Sequence, residues 1–254
     1  MSTKYDQNKL DSRFNKESRQ WQQLYLQAGE KKFSYNNKKY RQQYVLGMLG
    51  KGEGKVLDLG CGAGSYFEFL EVLGYEVTGL DSSEEMVKIA SDFVRTLHRS
   101  QVIKGNVLEI PFEDNTFSAV IAVGLLEYLP DDREFLEVIR KVLKPGGKAV
   151  VTLRNSLCLE RKLWKFYRRF GLDVNKADYF YREHSPRKLK KLIESMGFED
   201  IQIKFCHFYP LMWPLSRLFF SFNNFLAHKM EKYFSGSFID FLGSTFIISF
   251  RKSK

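Results

Sequence analysis

Alternating glycines beside two acidic residues are the first feature of this chain that could do chemistry. Glycine occupies every second position from Gly60 to Gly64, directly after the apolar run KVLDL; Asp58 lies inside that run, and Asp81 ends the next one. Glycines leave backbone amides open to a ligand that approaches closely. Asp58 suits an ammonium group, and Asp81 suits the two hydroxyls of a ribose. The pattern predicts a zwitterionic, nucleoside-like ligand.

The spacing of this loop separates that ligand from a dinucleotide. A dinucleotide-binding loop has the form GxGxxG, and its sixth position is Ser65 here instead of glycine. Asp58 would also lie unfavourably beside a pyrophosphate. The GxGxG form therefore favours a nucleoside zwitterion over a nicotinamide or flavin cofactor.

The elements that must position these residues follow from the apolar pattern. Short β-branched or apolar runs alternate with helical patterns from Lys55 onward, which is typical of a parallel sheet with crossover helices on both faces. The first 50 residues read as helices, and a further helix is predicted from Ser65 through Leu73. The predicted strands are KVLDL, EVTGLD, QVIKG, SAVIAVG, KAVVTLR, EDIQIKF and GSTFIISFRKSK.

Four segments resemble, in order and spacing, the successive motifs of the class I S-adenosylmethionine-dependent methyltransferases: VLDLGCGAG, VTGLDSSEEMVKIA, GNVLEIPFEDNTFSAVIAVGLLEYLPD and REFLEVIRKVLKPGGKAVVTLRN. The resemblance covers residues 55–155 closely. It implies an enzyme with S-adenosylmethionine as cofactor and an α/β, Rossmann-like seven-stranded sheet whose last strand, STFIISF, is antiparallel. We expect one methyltransferase domain over 1–254, made of an N-terminal helical cap (1–50), a cofactor-binding core (51–156) and a substrate-facing insert with closing strands (157–254).

The same resemblance implies roles for the matching positions. Asp58 and the glycine loop would hold the methionine end of the cofactor, and Asp81 would bind the ribose. Asn106 stands where the family often has aspartate and keeps an oxygen that can accept from the adenine amino group, while the Val107 amide would donate to the ring. The implied cofactor-binding set is Asp58, Gly60, Cys61, Gly62, Gly64, Asp81, Ser82, Met86, Asn106, Val107, Val123, Gly124 and Leu125.

Catalysis of methyl transfer depends mainly on alignment of the reacting groups and exclusion of water, because the reaction is an in-line displacement at an already activated carbon. A base is needed only when the acceptor must lose a proton. His184 precedes a predicted helix where related enzymes place substrate-facing residues, so it is the first candidate; an exposed histidine beside a helix N-cap is the alternative. Tyr128, where relatives often have histidine, would orient a substrate or simply pack.

The segments after Asn155 resemble the ubiquinone- and menaquinone-pathway methyltransferases, some of which act on polyprenylated phenols at the membrane. The resemblance lies in RNSLCLERKLWKFYRR, FYREHSPRKLKKLIESMGFEDI and CHFYP. Some of those enzymes bind a divalent metal through Glu-x-x-Glu-His, and the matching places here are Gly124, Glu127 and Tyr128, which leaves one ligand. We expect no metal, and a small-molecule or lipid-like acceptor, with O-methylation of a phenolic or quinone-type compound as one form of the reaction.

The net charge of +10 lies outside the predicted cofactor core. Residues 1–41 hold 10 basic and 4 acidic residues, and residues 157–191 hold 11 and 4. Such segments suit nucleic acid, a phosphorylated substrate or lipid headgroups, or they are ordinary solvated helix faces. An RNA methyltransferase is therefore an alternative, less favoured because no RNA-binding module is recognisable. A non-catalytic cofactor-binding regulator is a third hypothesis.

Aromatic and basic residues are interleaved in LWKFYRRF, which includes Arg168 and Arg169, and the longer apolar stretch FYPLMWPLSRLFFSFNNFL follows. This mixture predicts contact with an anionic membrane surface. A cover over the substrate pocket or a homodimer contact would explain it equally well. Three widely spaced cysteines and a polar N-terminus lead us to expect a cytoplasmic protein, with peripheral membrane attachment as an option.

The N-terminal helical pattern has two explanations. Trp21, Tyr25, Tyr40 and Arg41 come shortly before the first strand. In related enzymes such a segment folds over the cofactor as a lid that excludes water. Packing against the sheet is the competing explanation.

Overall fold

One mixed sheet organises the molecule, which we describe from a computed structural model over residues 5–26, 33–170, 180–208, 211, 215–234 and 240–254. Within these ranges the strands are β1 (Lys55–Leu59), β2 (Glu76–Asp81), β3 (Ser100–Lys104), β4 (Phe117–Val123), β5 (Leu143–Arg154), β6 (Phe198–Cys206) and β7 (Thr245–Lys252). Their order is β3-β2-β1-β4-β5-β7-β6. β7 runs antiparallel to β5 and β6, and the other pairs are parallel. The predicted seven-stranded sheet with an antiparallel last strand is confirmed.

Helices connect and cover these strands. In chain order they are α1 (Gln7–Leu26), α2 (Phe33–Leu49), α3 (Phe67–Val72), α4 (Glu84–Val94), α5 (Asp132–Val142), α6 (Leu159–Arg169), α7 (Pro186–Ser195), α8 (Leu215–Leu218) and α9 (Phe220–Phe234). Short 3-10 turns lie at Leu126–Tyr128 and Asp240–Leu242. Helix α3 is shorter than predicted because the glycine loop extends as a turn, in which the Phe67 amide donates to the Gly64 carbonyl.

The sheet is buried on both faces, which explains why its strands read as nearly continuous apolar runs. Leu57 and Leu59 of β1 belong to one core cluster with residues of α5 and α7. Val56 belongs to the cluster on the opposite face, with residues of α2, α3 and α4. Alternate residues of β1 thus pack into the cores on the two faces of the sheet. The carboxyl ends of the parallel strands lie outside both cores, where sites of such folds form.

The two N-terminal helices pack against different parts of the molecule. Helix α2 packs on β5, β6 and β7, and its Val45 and Leu49 are buried in the core. Helix α1 lies against α4, where Asn15 Oδ1 accepts a hydrogen bond of 2.7 Å from Ser83 Oγ. The predicted helices are both present, and packing on the sheet accounts for α2. The side chains of Trp21 and Tyr25 lie outside the described residues.

Gly79 of β2 is the position where the core tolerates no side chain. A Cβ there would lie 2.4 Å from Phe67 Cζ and 2.8 Å from Cys61 Sγ. Phe67 is fully buried, so it has no room to move aside. Gly79 therefore allows Phe67 to pack beneath the glycine loop.

We expect Gly79→Ala to lower the free energy of unfolding by about 1–3 kcal/mol through overpacking. Gly47→Ala is the matched control, because Gly47 lies in α2 and a Cβ there meets nothing within 4 Å. The control should be neutral or stabilising by about 0.5–1 kcal/mol. Urea denaturation of both variants measures the difference, and equal stabilities would contradict the packing assigned to Gly79.

Candidate active site

The glycine loop lies at the carboxyl end of β1 and is attached to the end of β2. Gly60 and Gly62 have φ angles of +69° and +53°, a region in which residues with a Cβ are strained. The Gly60 amide donates to the Leu80 carbonyl at 2.8 Å, and the Gly62 amide donates to Asp81 Oδ2 at 2.8 Å. The loop is therefore held in place before any ligand binds.

Asp81 has a structural role as well as a place in the site. Its second oxygen, Oδ1, accepts from the Ser83 amide at 2.9 Å, next to the start of α4. Burial raises the pKa of Asp81, and the amides of Ser83 and Gly62 oppose that shift. Each carboxylate oxygen has two lone pairs, so Asp81 can hold these amides and still accept from hydroxyls in the cavity.

Asp58 is the most unusual group in the site. It is 1% exposed, and no donor in the described part of the chain reaches its Oδ2. Burial raises the pKa of Asp58 well above its usual range, and the nearby charge of Asp81 adds to the effect. A buried carboxylate without a donor is costly unless a cation or hydrogen-bond donor pairs with it. Asp58 therefore fits a ligand that brings an ammonium group.

The loops after β2 and β3 close one side of the same cavity. Ser82 Oγ donates to Asp11 Oδ1 of α1 at 2.6 Å. Met86 is buried at the first turn of α4, and Val107 is buried after β3. Asn106 Oδ1 accepts from the Leu108 amide at 3.0 Å, so the oxygen expected to meet the adenine also caps a local turn.

These groups line a cavity of about 420 Å³ that runs along the carboxyl edge of the sheet. Sheet order places Asp58 and Asp81 on the β1–β2 side, and the ends of β5 and β6 lie towards the other side. We call that other side the distal end. Its lining residues include Glu127, Tyr128, Arg154, Arg161 and His207.

Comparison with known proteins identifies the fold and the cofactor. A family profile described as "Methyltransferase domain" matches residues 57–151. A demethylmenaquinone methyltransferase of Staphylococcus haemolyticus is 30% identical over 186 residues, which cover 66% of this chain and 78% of that protein. The chain belongs to the class I S-adenosylmethionine-dependent methyltransferases. Its cofactor is S-adenosylmethionine.

Solved structures show the same fold at lower identity. The magnesium protoporphyrin IX methyltransferase of Synechocystis PCC 6803, solved with bound S-adenosylhomocysteine, has a TM-score of 0.66 and 15% identity, covering 98% of this chain and 100% of that one. A methyltransferase of Thermotoga maritima has a TM-score of 0.62 and 19% identity, covering 95% and 97%. At such identities the likeness shows the fold alone.

The structure brings together all but one of the cofactor-binding residues that the sequence predicted for this methyltransferase. Gly64 does not line the cavity; its φ of +78° instead lets the chain turn above Phe67, which a Cβ would approach to 3.1 Å. The predicted residues that line the cavity are Asp58, Gly60, Cys61, Gly62, Asp81, Ser82, Met86, Asn106, Val107, Val123, Gly124 and Leu125.

The two predicted catalytic residues are placed differently. Tyr128 lines the distal end, and its ring meets Phe14 edge to face at 5.3 Å. His184 does not line the cavity. It is 5% exposed, its Nε2 lies 3.1 Å from Asp132 Oδ1, and its amide donates to the Arg154 carbonyl at 2.9 Å. In this position His184 connects the end of β5 to the start of α5 by hydrogen bonds.

Helix α1 forms part of the cavity wall, as the lid hypothesis expected of the N-terminal segment. Gln7, Leu10, Asp11 and Phe14 line the cavity on this side. Arg41 of α2 also lines it, and its Nη1 lies 3.8 Å from the point that a Cβ on Gly124 would occupy. Both N-terminal helices thus contribute to the cavity wall, and α2 also packs on the sheet. Closure of this segment as a lid stays a prediction.

Two distal residues that sequence reasoning did not select have distinctive geometry. No acceptor within the described ranges reaches the buried Nη1 of Arg161. His207 has a φ of +64°, and its Nδ1 lies 3.1 Å from Thr245 Oγ1. Their position near the carboxyl ends of β5 and β6 was the available signal, because sites of such folds form at those ends. Among the side chains described, no group of three histidine, cysteine, aspartate or glutamate residues is arranged to hold a metal.

Glu231 of α9 holds the backbone of His207 in place. It is 3% exposed, and its Oε2 accepts from the His207 amide at 3.0 Å. Burial raises the pKa of Glu231 to about 7, although that hydrogen bond opposes the shift. Folding therefore takes up a proton at Glu231 between the ordinary pKa of 4.5 and about 7.

The sign of this linkage predicts a pH-dependent difference from Glu231→Gln. The stability contributed by protonated Glu231 is present at low pH and is lost as the pH rises to about 7. Relative to the variant, the wild type should lose roughly 2–3 kcal/mol of unfolding free energy between pH ~5 and ~8. Urea titrations measure this difference, with Glu194→Gln as the exposed control. A difference independent of pH would contradict the shift.

Proposed function

We propose that this methyltransferase transfers the methyl group of S-adenosylmethionine to a ring hydroxyl, or a carbon activated by one, of a lipid-like quinone-type acceptor. The observation that carries the proposal is the single cavity that joins Asp58 and Asp81 to a distal end with an aromatic ring, a guanidinium and an imidazole. The quinone class is supported by the demethylmenaquinone methyltransferases among its relatives.

We assign the methionine end of the cofactor to two oppositely charged residues. Asp58 would pair with the ammonium group, since its Oδ2 is buried with no donor among the described residues. Arg41, which lines the cavity beside Gly124, would pair with the carboxylate. The bound cofactor supplies a methyl group on a positively charged sulfur. Salt bridges of this kind at a preformed cavity orient the donor and add affinity.

The nucleoside end follows from the loops after β2 and β3. Asp81 would accept from the ribose hydroxyls with the lone pairs that Gly62 and Ser83 leave free. Met86 would contact the adenine, and the Val107 amide would donate to it. Asn106 caps its own turn, so we give it a smaller share in adenine recognition than the family pattern implies.

The distal residues would bind the acceptor and take its proton. Tyr128, fixed by Phe14, would align the acceptor ring, and the Arg161 guanidinium would hold the oxygen as it becomes an anion. We assign the base to His207 rather than His184, because His207 lines the cavity. With Nδ1–H donating to Thr245, Nε2 of His207 can accept the hydroxyl proton. When the oxygen is methylated, this proton passes to solvent; when the activated carbon is methylated, the carbon loses its own proton to solvent and the hydroxyl proton returns to the oxygen.

The proposal is tested directly by measuring transfer of labelled methyl from S-adenosylmethionine to chosen acceptors. A reduced, chain-shortened demethylmenaquinone should be methylated, and the same compound with its hydroxyls already methylated should not. A transfer RNA pool serves as the comparison acceptor. Methylation of the RNA with none of the quinol would overturn the proposed acceptor class while leaving the family intact.

Asp58→Asn should weaken cofactor binding without harming the free protein. We expect calorimetry to show a dissociation constant for S-adenosylmethionine raised about 10- to 100-fold, because a charge-assisted contact is lost. The free variant should unfold no more easily than the wild type, since a buried carboxylate whose Oδ2 has no donor among the described residues has been removed. Asp200→Asn, at an exposed surface carboxylate, should change neither quantity. Unchanged affinity in Asp58→Asn would contradict the assignment.

Arg161→Gln should lower kcat/KM for the acceptor by about 10- to 100-fold and leave the dissociation constant of S-adenosylmethionine unchanged. The reason is that Arg161 would contact the acceptor oxygen and not the donor. Arg169→Gln, an exposed position on the same helix, is the control. Equal kcat/KM values for the two variants, measured with the chain-shortened quinol, would remove Arg161 from the acceptor site.

A further inference from the structure

Helix α9 turns an asparagine and a glutamate towards the protein and several aromatic residues to solvent. Asn223 and Glu231 on its inner side are 4% and 3% exposed. On its outer side Phe222 and Phe225 are each 55% exposed and Tyr233 is 61% exposed. A helix on a soluble domain normally turns its apolar stripe towards the core. The orientation of α9 is the reverse of that rule.

Hydrogen bonds fix α9 in this orientation. Asn223 Oδ1 accepts from the Leu211 amide at 3.0 Å, and Glu231 Oε2 accepts from the His207 amide at 3.0 Å. Turning the helix over would break both contacts and leave buried amides without acceptors, which is costly. The outward apolar side is therefore a consequence of specific inner contacts.

The outer side of α9 combines apolar side chains with lysines. Lys229 Nζ lies 5.5 Å from the ring centre of Phe225 and 5.7 Å from that of Tyr233, and Lys232 Nζ lies 5.5 Å from that of Tyr233. We call this surface the aromatic face. Its members are Phe222, Phe225, Lys229, Lys232 and Tyr233.

We propose that the aromatic face lies on the surface of an anionic lipid bilayer, with its rings at the level of the headgroups. The inference rests on the proposed function in so far as a lipid-like acceptor would be taken from that bilayer. Rings that bury shallowly beside cations suit this boundary, and the net charge of +10 favours anionic lipid. In the part of the chain described, no helix is long and apolar enough to cross a membrane.

The lysines of the aromatic face favour a lipid surface over a second copy of the chain as its binding partner. Protein interfaces are depleted of lysine relative to the rest of the surface. Lys229 and Lys232 are both exposed among the rings of the aromatic face, where a second copy would place the same two charges close together. Anionic headgroups instead neutralise them.

The aromatic face is next to the distal end of the cavity. β6 and β5 are each antiparallel to β7, so their carboxyl ends lie at the same edge of the sheet. Glu231 of α9 contacts His207, which lines the cavity just after β6. At the same edge α6 places Arg161 in the cavity and exposes Phe166 and Phe170. A lipid-like acceptor could therefore reach the site from the bilayer.

Co-sedimentation with vesicles tests the proposal on the full chain. The protein should bind vesicles that contain phosphatidylglycerol, bind less as salt is raised, and stay largely free with pure phosphatidylcholine. Phe222→Ser with Phe225→Ser should abolish binding. Phe69→Ser with Val72→Ser, two exposed apolar residues of α3, is the matched control and should bind normally. Lys229→Glu with Lys232→Glu should weaken binding at least 5-fold for each lysine, by about 1 kcal/mol per lost cation.

Each outcome decides the proposal. Background binding of the wild type to anionic vesicles at low salt would overturn it, as would normal binding by the Phe222 and Phe225 variant. A dimer in light scattering that this variant abolishes, without lipid binding, would assign the aromatic face to a second copy and also overturn it. Calorimetry with S-adenosylmethionine and transfer to the soluble, chain-shortened quinol need no lipid, so they report failure of the proposed function separately.

Discussion

The hydrogen bonds that Asp81 accepts hold the cofactor side of this methyltransferase together. One oxygen fixes Gly62 of the glycine loop, and the other fixes Ser83 at the start of α4. Ser83 in turn donates to Asn15, which attaches α1 above the cavity. The carboxylate of Asp81 thus holds the glycine loop and the start of α4 directly, and it holds α1 indirectly through Ser83. Asp81 is partly buried, so loss of either amide would leave a poorly solvated carboxylate oxygen without its donor.

A second carboxylate beside the first makes the free site electrostatically unfavourable. Asp58 is buried and Asp81 is partly buried, and the charge of Asp81 adds to the rise in the pKa of Asp58. Gly62 and Ser83 already satisfy Asp81, whereas Oδ2 of Asp58 has no donor among the described residues. The unfavourable term therefore falls mainly on Asp58. The ammonium group that we propose to lie beside Asp58 would remove it and would link cofactor binding to the stability of the sheet edge.

The sequence predicted the sheet, its antiparallel last strand and nearly all the cavity residues near the glycine loop, because these depend on short spacings within one strand–loop–helix unit. It selected His184 and not His207 as the first candidate base, because His184 precedes a predicted helix where related enzymes place substrate-facing residues. Only tertiary contacts show that His184 lies against Asp132 while His207 lines the cavity. Nor could it find Glu231, whose partner at His207 is 24 residues away.

The orientation of α9 also depends on contacts between residues far apart in the sequence. These contacts connect the aromatic face to the distal end of the cavity. Glu231 and Asn223 are buried because they accept hydrogen bonds from backbone amides after β6. With these two side chains turned inward, the rings on the opposite side of α9 face solvent. The His207 amide is one of those partners, so one contact positions both the residue that we propose as the base and the helix that bears the aromatic face. A side chain with a pKa of about 7 makes that contact, so its charge changes close to neutral pH. The geometry of the acceptor end is therefore coupled to the seating of α9, whereas the cofactor end is fixed independently through Asp81.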